Sequence, residues 1–139
     1  MVEAQQDVKK DKPEFRNIGL AQLIHYRLPW AGKVSILHRI SGAVLFLLLP
    51  FILYLLDQSL ASEQTYQAFQ GLTSNVLVKI ICLGLIWCFL HHFCAGIRYL
   101  LLDLEIGISK SESNRSAIIV FFLGLGLTAI VGLKMFAIY

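Results

Sequence analysis

The sequence predicts an all-α integral membrane protein, one domain over residues 1–139, built as a three-helix up-down-up bundle. Three observations predict it. Of 139 residues, 57% are hydrophobic and 15% charged, against about 45–50% and about 25% in an ordinary soluble domain; the mean hydropathy is +0.68. The apolar excess is gathered into blocks. Three of them, Val34–Leu56, Val76–Leu102 and Ala117–Tyr139, reach the roughly 20 residues needed to cross about 30 Å of hydrocarbon. The Lys and Arg residues are placed unevenly: ten of twelve lie before Ser41 or between Arg98 and Arg115, and the stretch Asp57–Asn75 has none. Basic flanks stay on the cytoplasmic side. The N-terminus and the second loop are therefore expected in the cytoplasm, with the first loop and the C-terminus facing outward.

Taken in order, the first 33 residues are polar and basic ("DVKKDKPEFR"). They lack the apolar stretch of a signal peptide and read as a flexible segment. Pro50 lies within the first span, where a kink is expected and neighbouring helices tolerate it. "SEQTYQAF" reads as a short interfacial helix ended by Gly71. Ser74 and Asn75 are the expected caps of the second span and Asn114 or Ser116 of the third, and Gly107 is placed to end the second helix. Gly124, Thr128 and Gly132 recur every four residues in the third span, a spacing that lets helix backbones approach closely. That stripe predicts helix packing and a unit that packs against a partner. Cys82, Cys88 and Cys94 are six apart, about 600° of helical rotation, so they fan around the helix as small buried residues rather than converge on a metal. Little chain remains for a soluble catalytic domain, and a net charge of +3 does not argue for nucleic acid.

Against this background the ionisable residues inside the spans stand out, because such residues are costly in hydrocarbon and usually functional. The second span ends "HHFCAGIRYLLLD". At about 40 Å it exceeds the hydrocarbon, so Arg98 and Asp103 are expected at the cytoplasmic interface, snorkelling to water. His92 lies deeper, roughly 18 Å along from Ile80. A neutral imidazole can ligate a metal through a ring nitrogen, and a haem is a flat group that a slot between membrane helices can hold. Cys88 and Gly96, four residues either side of His92, are small enough to admit a macrocycle, whereas His91 has Trp87 and Ala95 there; sterics favour His92. In the first span, "VSILHRISG" puts Ser35, His38, Arg39 and Gly42 on one helical face. A hydroxyl, an imidazole and a guanidinium so placed suit a quinone carbonyl or a haem propionate; an interfacial anchor with Arg39 on lipid phosphate is the plainer alternative.

The pairing of "SILHRISG" with "H-x-x-x-G-I-R-x-L-x-x-D" about fifty residues later resembles the cytochrome b membrane-anchor (C subunit) family of succinate dehydrogenase, from Pro13 to the C-terminus. The resemblance implies a bundle completed by a second membrane-anchor subunit, with a haem b held between the two. It also implies a flavoprotein and an iron–sulfur subunit docked on the cytoplasmic face of a bacterial inner membrane. Electrons from succinate would then reach ubiquinone at the inner surface. By the same resemblance His92 is the axial haem-iron ligand, Ser35 and Arg39 belong to the quinone site, His38 and Arg39 contact the haem propionates, and Asp103 is the closing aspartate. Tyr99 departs from the family pattern, which often has histidine there, and His91 is an addition without an assigned role. The chain alone carries no flavin or iron–sulfur ligands and is not expected to catalyse. The alternatives are the anchor of a fumarate reductase, and a cofactor-free structural or assembly protein whose His and Arg only stabilise helix contacts.

Overall fold

The computed structural model describes residue 19 and residues 25–137. Of the expected flexible segment over the first 33 residues, residues 1–24 lie, apart from residue 19, outside the described residues, and Trp30 onward is helical; the last two residues of the expected third span also lie outside the described residues. Among the described residues four long helices follow in order: α1 (Trp30–Ala61), α2 (Glu63–Ser74), α3 (Val76–Asp103) and α4 (Lys110–Ala137). Among the described residues there is no strand. α1, α3 and α4 are each long and apolar enough to cross a membrane.

The register of the contacts fixes the up-down-up order. Gly42 of α1 lies against His92 of α3, while Gly96 lies against His38, so these helices run antiparallel. Gly124 of α4 meets His91 and Gly132 meets Leu83, making α3 and α4 antiparallel as well. The core gathers at the end where α1 and α4 begin: Val34, Cys94, Ala95, Ala117 and Val120, flanked by Trp30, Tyr99 and Phe121. Trp30 packs on Phe121 and Phe122 at 5.5 and 6.3 Å. Large apolar side chains such as Phe46, Leu47 and Leu133 are mostly exposed, as expected where the surrounding solvent is hydrocarbon rather than water.

The helices overrun the expected spans. α1 extends four residues before Val34 and five beyond Leu56, a rod of about 48 Å, and passes through Pro50 without a break. α4 begins seven residues before Ala117. Its start is set by Ser109, not by Asn114 or Ser116: the Ser109 hydroxyl accepts from the Glu112 N–H at 3.3 Å and donates to the Glu112 carboxylate, the S-x-x-E pattern of a capped start. Asn114 does cap a helix, but across the bundle, its Oδ1 accepting from the Ala31 N–H of α1 at 3.4 Å. α1 needs that help, since its own N-cap is Pro29 and supplies no side-chain bond.

The remaining boundaries divide between expectation and correction. The outer-loop helix exists, opened by a reciprocal Ser62–Thr65 capping box, but it runs past Gly71 to Ser74. Asn75 caps α3, its Oδ1 accepting from the Leu77 N–H at 2.8 Å; Ser74 instead donates back to the Gln70 carbonyl. α3 stops at Asp103, ahead of Gly107. Glu105 takes a left-handed φ of 61°, the Ile106 N–H reaches the Leu101 carbonyl and the Glu105 N–H the Leu102 carbonyl, both at 3.0 Å. That is a Schellman closure with a glutamate where glycine is usual.

Candidate functional site

α3 presents two faces with different chemistry. One, made by His91, Ala95 and Arg98, is buried and looks toward α4. The other, made by His92, Gly96 and Tyr99, looks toward α1. The adjacent histidines are thus sent in different directions by the 100° step of the helix.

On the α1 side the rings of His38 and His92 stack in parallel, with centroids 4.2 Å apart and planes 6° from coplanar orientation. Tyr99 continues the column, 5.0 Å from His38. The stack needs Gly42 to lack a side chain, whereas Gly96 merely sits in ordinary contact with it. A Cβ on Gly42 would stand 2.8 Å from His92 Cε1 and 3.2 Å from Nδ1, and one on Gly96 would stand 3.8 Å from His38 Nε2. His38 and Gly42 of α1 are thus brought against His92 of α3. Ser35 is half-buried about one turn nearer the basic end of α1 than His38, Arg39 directly follows His38 and is exposed, and Asp103 is exposed at the last residue of α3.

His92 sits where the backbone selects its tautomer. Its Nδ1 lies 3.1 Å from the main-chain carbonyl oxygen of His38. A carbonyl only accepts, so Nδ1 carries the proton and Nε2 keeps the lone pair. This is the state in which a histidine ligates a metal, with its second nitrogen held by a backbone carbonyl. Gly84 and Cys88 lie on the same stripe of α3, at steps of four from His92, and the space around Gly84 is open. A haem supplies its own equatorial nitrogens and asks the protein for axial ligands. One imidazole with a free Nε2, beside a strip of small residues, fits that demand.

Sequence reasoning missed Ser41. It is 1% exposed; its hydroxyl donates to the same His38 carbonyl at 2.9 Å and lies 3.4 Å from His92 Nδ1. Its position three residues after a histidine was a weak signal, because serine in a helix commonly bonds back to its own preceding turn.

The other face corrects one expectation, while the helix packing expected of the α4 stripe is present. Arg98 does not snorkel. It is 4% exposed, donating from Nε to Ser116 Oγ at 2.9 Å and from Nη2 to the Ser113 carbonyl and hydroxyl at 2.8 Å each. A guanidinium inside the bundle is tolerable because the first two turns of α4 offer it oxygen acceptors. The small-residue stripe of α4 is likewise spent within the chain. Gly124, Thr128 and Gly132 are buried, and the site of a Cβ on Gly124 lies 3.5 Å from the His91 Cα, so the stripe is no evidence for a partner. His91 is fully buried, stacked on Trp87 at 5.3 Å and edge-on to Phe121 at 6.4 Å. It interacts with the Val34 backbone without closing a hydrogen bond of good geometry.

Comparison with known proteins follows the same lines. The sequence model of the family described as succinate dehydrogenase/fumarate reductase transmembrane subunit matches residues 16–131. A succinate dehydrogenase cytochrome b556 subunit of Coxiella burnetii is 40% identical over 71% of this chain and 80% of its own length. The protein of the same name in Paracoccus denitrificans is 29% identical over 66% of this chain and 71% of its own. A succinate dehydrogenase hydrophobic membrane anchor subunit of Halobacterium salinarum is 29% identical over 69% and 70%.

Proposed function

The chain belongs to the succinate dehydrogenase/fumarate reductase transmembrane subunit family, and from that premise we propose that it binds haem b and forms part of a ubiquinone site. It is a multi-pass membrane protein and a membrane-anchor subunit of succinate dehydrogenase, not a catalytic subunit. In our reading a second membrane-anchor subunit completes the bundle and would hold the haem from its other side. A flavoprotein and an iron–sulfur subunit dock at the basic end, on the cytoplasmic side of a bacterial inner membrane.

The observation that carries the haem assignment is the hydrogen bond from His92 Nδ1 to the His38 carbonyl, which leaves Nε2 as the ligating nitrogen. When bound, the haem supplies a one-electron relay within the membrane. His92 would hold the iron on this chain's side, and Gly42 leaves room for its ring. His38 and Arg39 serve the propionates, the guanidinium by charge-assisted hydrogen bonds. Ser35 and Arg39 orient the quinone carbonyl, where a donor and a fixed positive charge stabilise the negative charge that develops on reduction.

The relatives called cytochrome b556 support the haem-binding reading over a cofactor-free anchor. The optical spectrum of the purified complex tests it. His92→Leu abolishes the low-spin b-type signature, whereas His91→Leu, on the opposite face, leaves it intact. An unchanged spectrum in His92→Leu with loss in His91→Leu discards the assignment. For the quinone site, Arg39→Leu assembles and oxidises succinate with a soluble acceptor but fails with ubiquinone; normal ubiquinone reduction removes Arg39 from that role.

A further inference from the structure

We propose that Ser41 is a positioning residue that sets the strength of the hydrogen bond behind His92, and through it the redox potential of the bound haem. The inference rests on His92 being the axial ligand and adds a residue to that arrangement. Three facts point to it. The Ser41 side chain is 1% exposed, so its hydroxyl meets neither water nor lipid. Its Oγ donates to the His38 carbonyl at 2.9 Å, the same oxygen that receives His92 Nδ1–H at 3.1 Å. Oγ and Nδ1 are 3.4 Å apart, two donors side by side on one acceptor.

The consequence follows from competition for that oxygen. A carbonyl has two lone pairs, and in a helix the backbone already draws on it. Each added donor withdraws electron density and weakens what the others receive. The bond from an axial imidazole to a backbone acceptor governs the basicity of the ligating nitrogen: the stronger the bond, the more electron-rich Nε2 becomes and the better it stabilises ferric iron. By taking a share of the His38 carbonyl, Ser41 restrains that effect and holds the potential up. A serine bonding its own preceding turn usually acts on the helix alone. Here the turn's carbonyl is also the anchor of a residue on another helix, so the local bond acquires a distant effect.

The test is a potentiometric titration of the haem in the assembled complex, with low-spin signal and haem content measured alongside. Ser41→Ala removes the competing donor, so the haem remains low-spin and its midpoint potential falls. Ser41→Thr keeps the hydroxyl and restores the parental potential. Ser41→Cys, nearly isosteric and a weaker donor, shifts it the same way as alanine but less, which keeps the test open if the alanine variant does not assemble. An unchanged or raised potential in Ser41→Ala, or the same fall in Ser41→Thr as in Ser41→Ala, overturns the proposal. His92→Leu, titrated in parallel, separates the two readings: a low-spin signature that survives it overturns the ligand assignment itself, whereas its loss together with an insensitive Ser41 overturns only the role of Ser41.

Discussion

At the scale of single residues, much of the site depends on an atom that is missing. The His92 ring is pinned between the His38 ring above and the His38 carbonyl at its edge, so it has little room to yield. Gly42→Ala would place a Cβ 2.8 Å from its Cε1, well inside contact distance, and the overpacking costs about 1–3 kcal/mol. The expected outcome is a displaced imidazole and a complex with diminished low-spin haem absorbance, measured per mole of protein against the parent; full absorbance in the alanine variant would mean that the ring is free to move. By contrast Gly84→Ala, where nothing lies within 4 Å, should be tolerated by the chain's own packing. The histidines stood out in the sequence because an imidazole in hydrocarbon demands an explanation, and Gly42 because it shares a helical face with His38. Ser41 did not, since a serine in a helix satisfies itself and signals nothing until the carbonyl it touches is seen to be shared.

Elements tell a different story, in which the middle of each helix was legible and its ends were not. Hydrocarbon acts on residues one at a time, so a run of apolar side chains marks its own span. Helix ends are decided by hydrogen bonds of specific geometry. Ser109 and Glu112 extend α4 through turns that carry no apolar signal, and Asn114 serves a helix 83 residues away, which no local pattern reveals. Arg98 is the case with the largest consequence. Three short bonds tie it to Ser113 and Ser116, and bonds from a charged group contribute about 1.5–3 kcal/mol each at most. Allowing for the neutral acceptors it leaves behind, Arg98→Leu should destabilise the α3–α4 pair by about 2–3 kcal/mol, seen as a lower thermal midpoint in detergent. Arg98→Lys should not restore it, because one ammonium cannot occupy both the Nε and Nη2 positions; an interfacial, snorkelling arginine would be rescued by lysine. Glu105 gives a test of opposite sign. Its φ of 61° disfavours any Cβ by roughly 1–2 kcal/mol, so Glu105→Gly should raise the same midpoint, offset in part by glycine's greater freedom when unfolded.

For the whole molecule, the question is which end faces the cytoplasm, because a quinone cluster is useful only near its electron donor. The antiparallel register places Lys33 and Arg39 of α1 at the same end as Arg98, Lys110 and Arg115 of α3 and α4. The opposite end carries α2, whose 12 residues include Glu63 and no Lys or Arg. Charge near the ends of spans, rather than net charge over the chain, sets orientation. The cysteines of the chain make the experiment direct: Cys82, Cys88 and Cys94 all lie within α3 and are buried or half-buried, away from a membrane-impermeant maleimide. Single cysteines would then report the two ends, Gln64→Cys in α2 and Ser111→Cys at the start of α4. With the basic end in the cytoplasm, Gln64→Cys is labelled in intact spheroplasts, and Ser111→Cys only in inverted vesicles stripped of the docked subunits. The reverse pattern would put Ser35, His38 and Arg39 on the periplasmic side, out of reach of any donor in the cytoplasm. The proposed haem ligation survives such an inversion, because it needs only His92, its carbonyl and a second helix bundle. The quinone assignment does not, because it depends on which water the arginine meets.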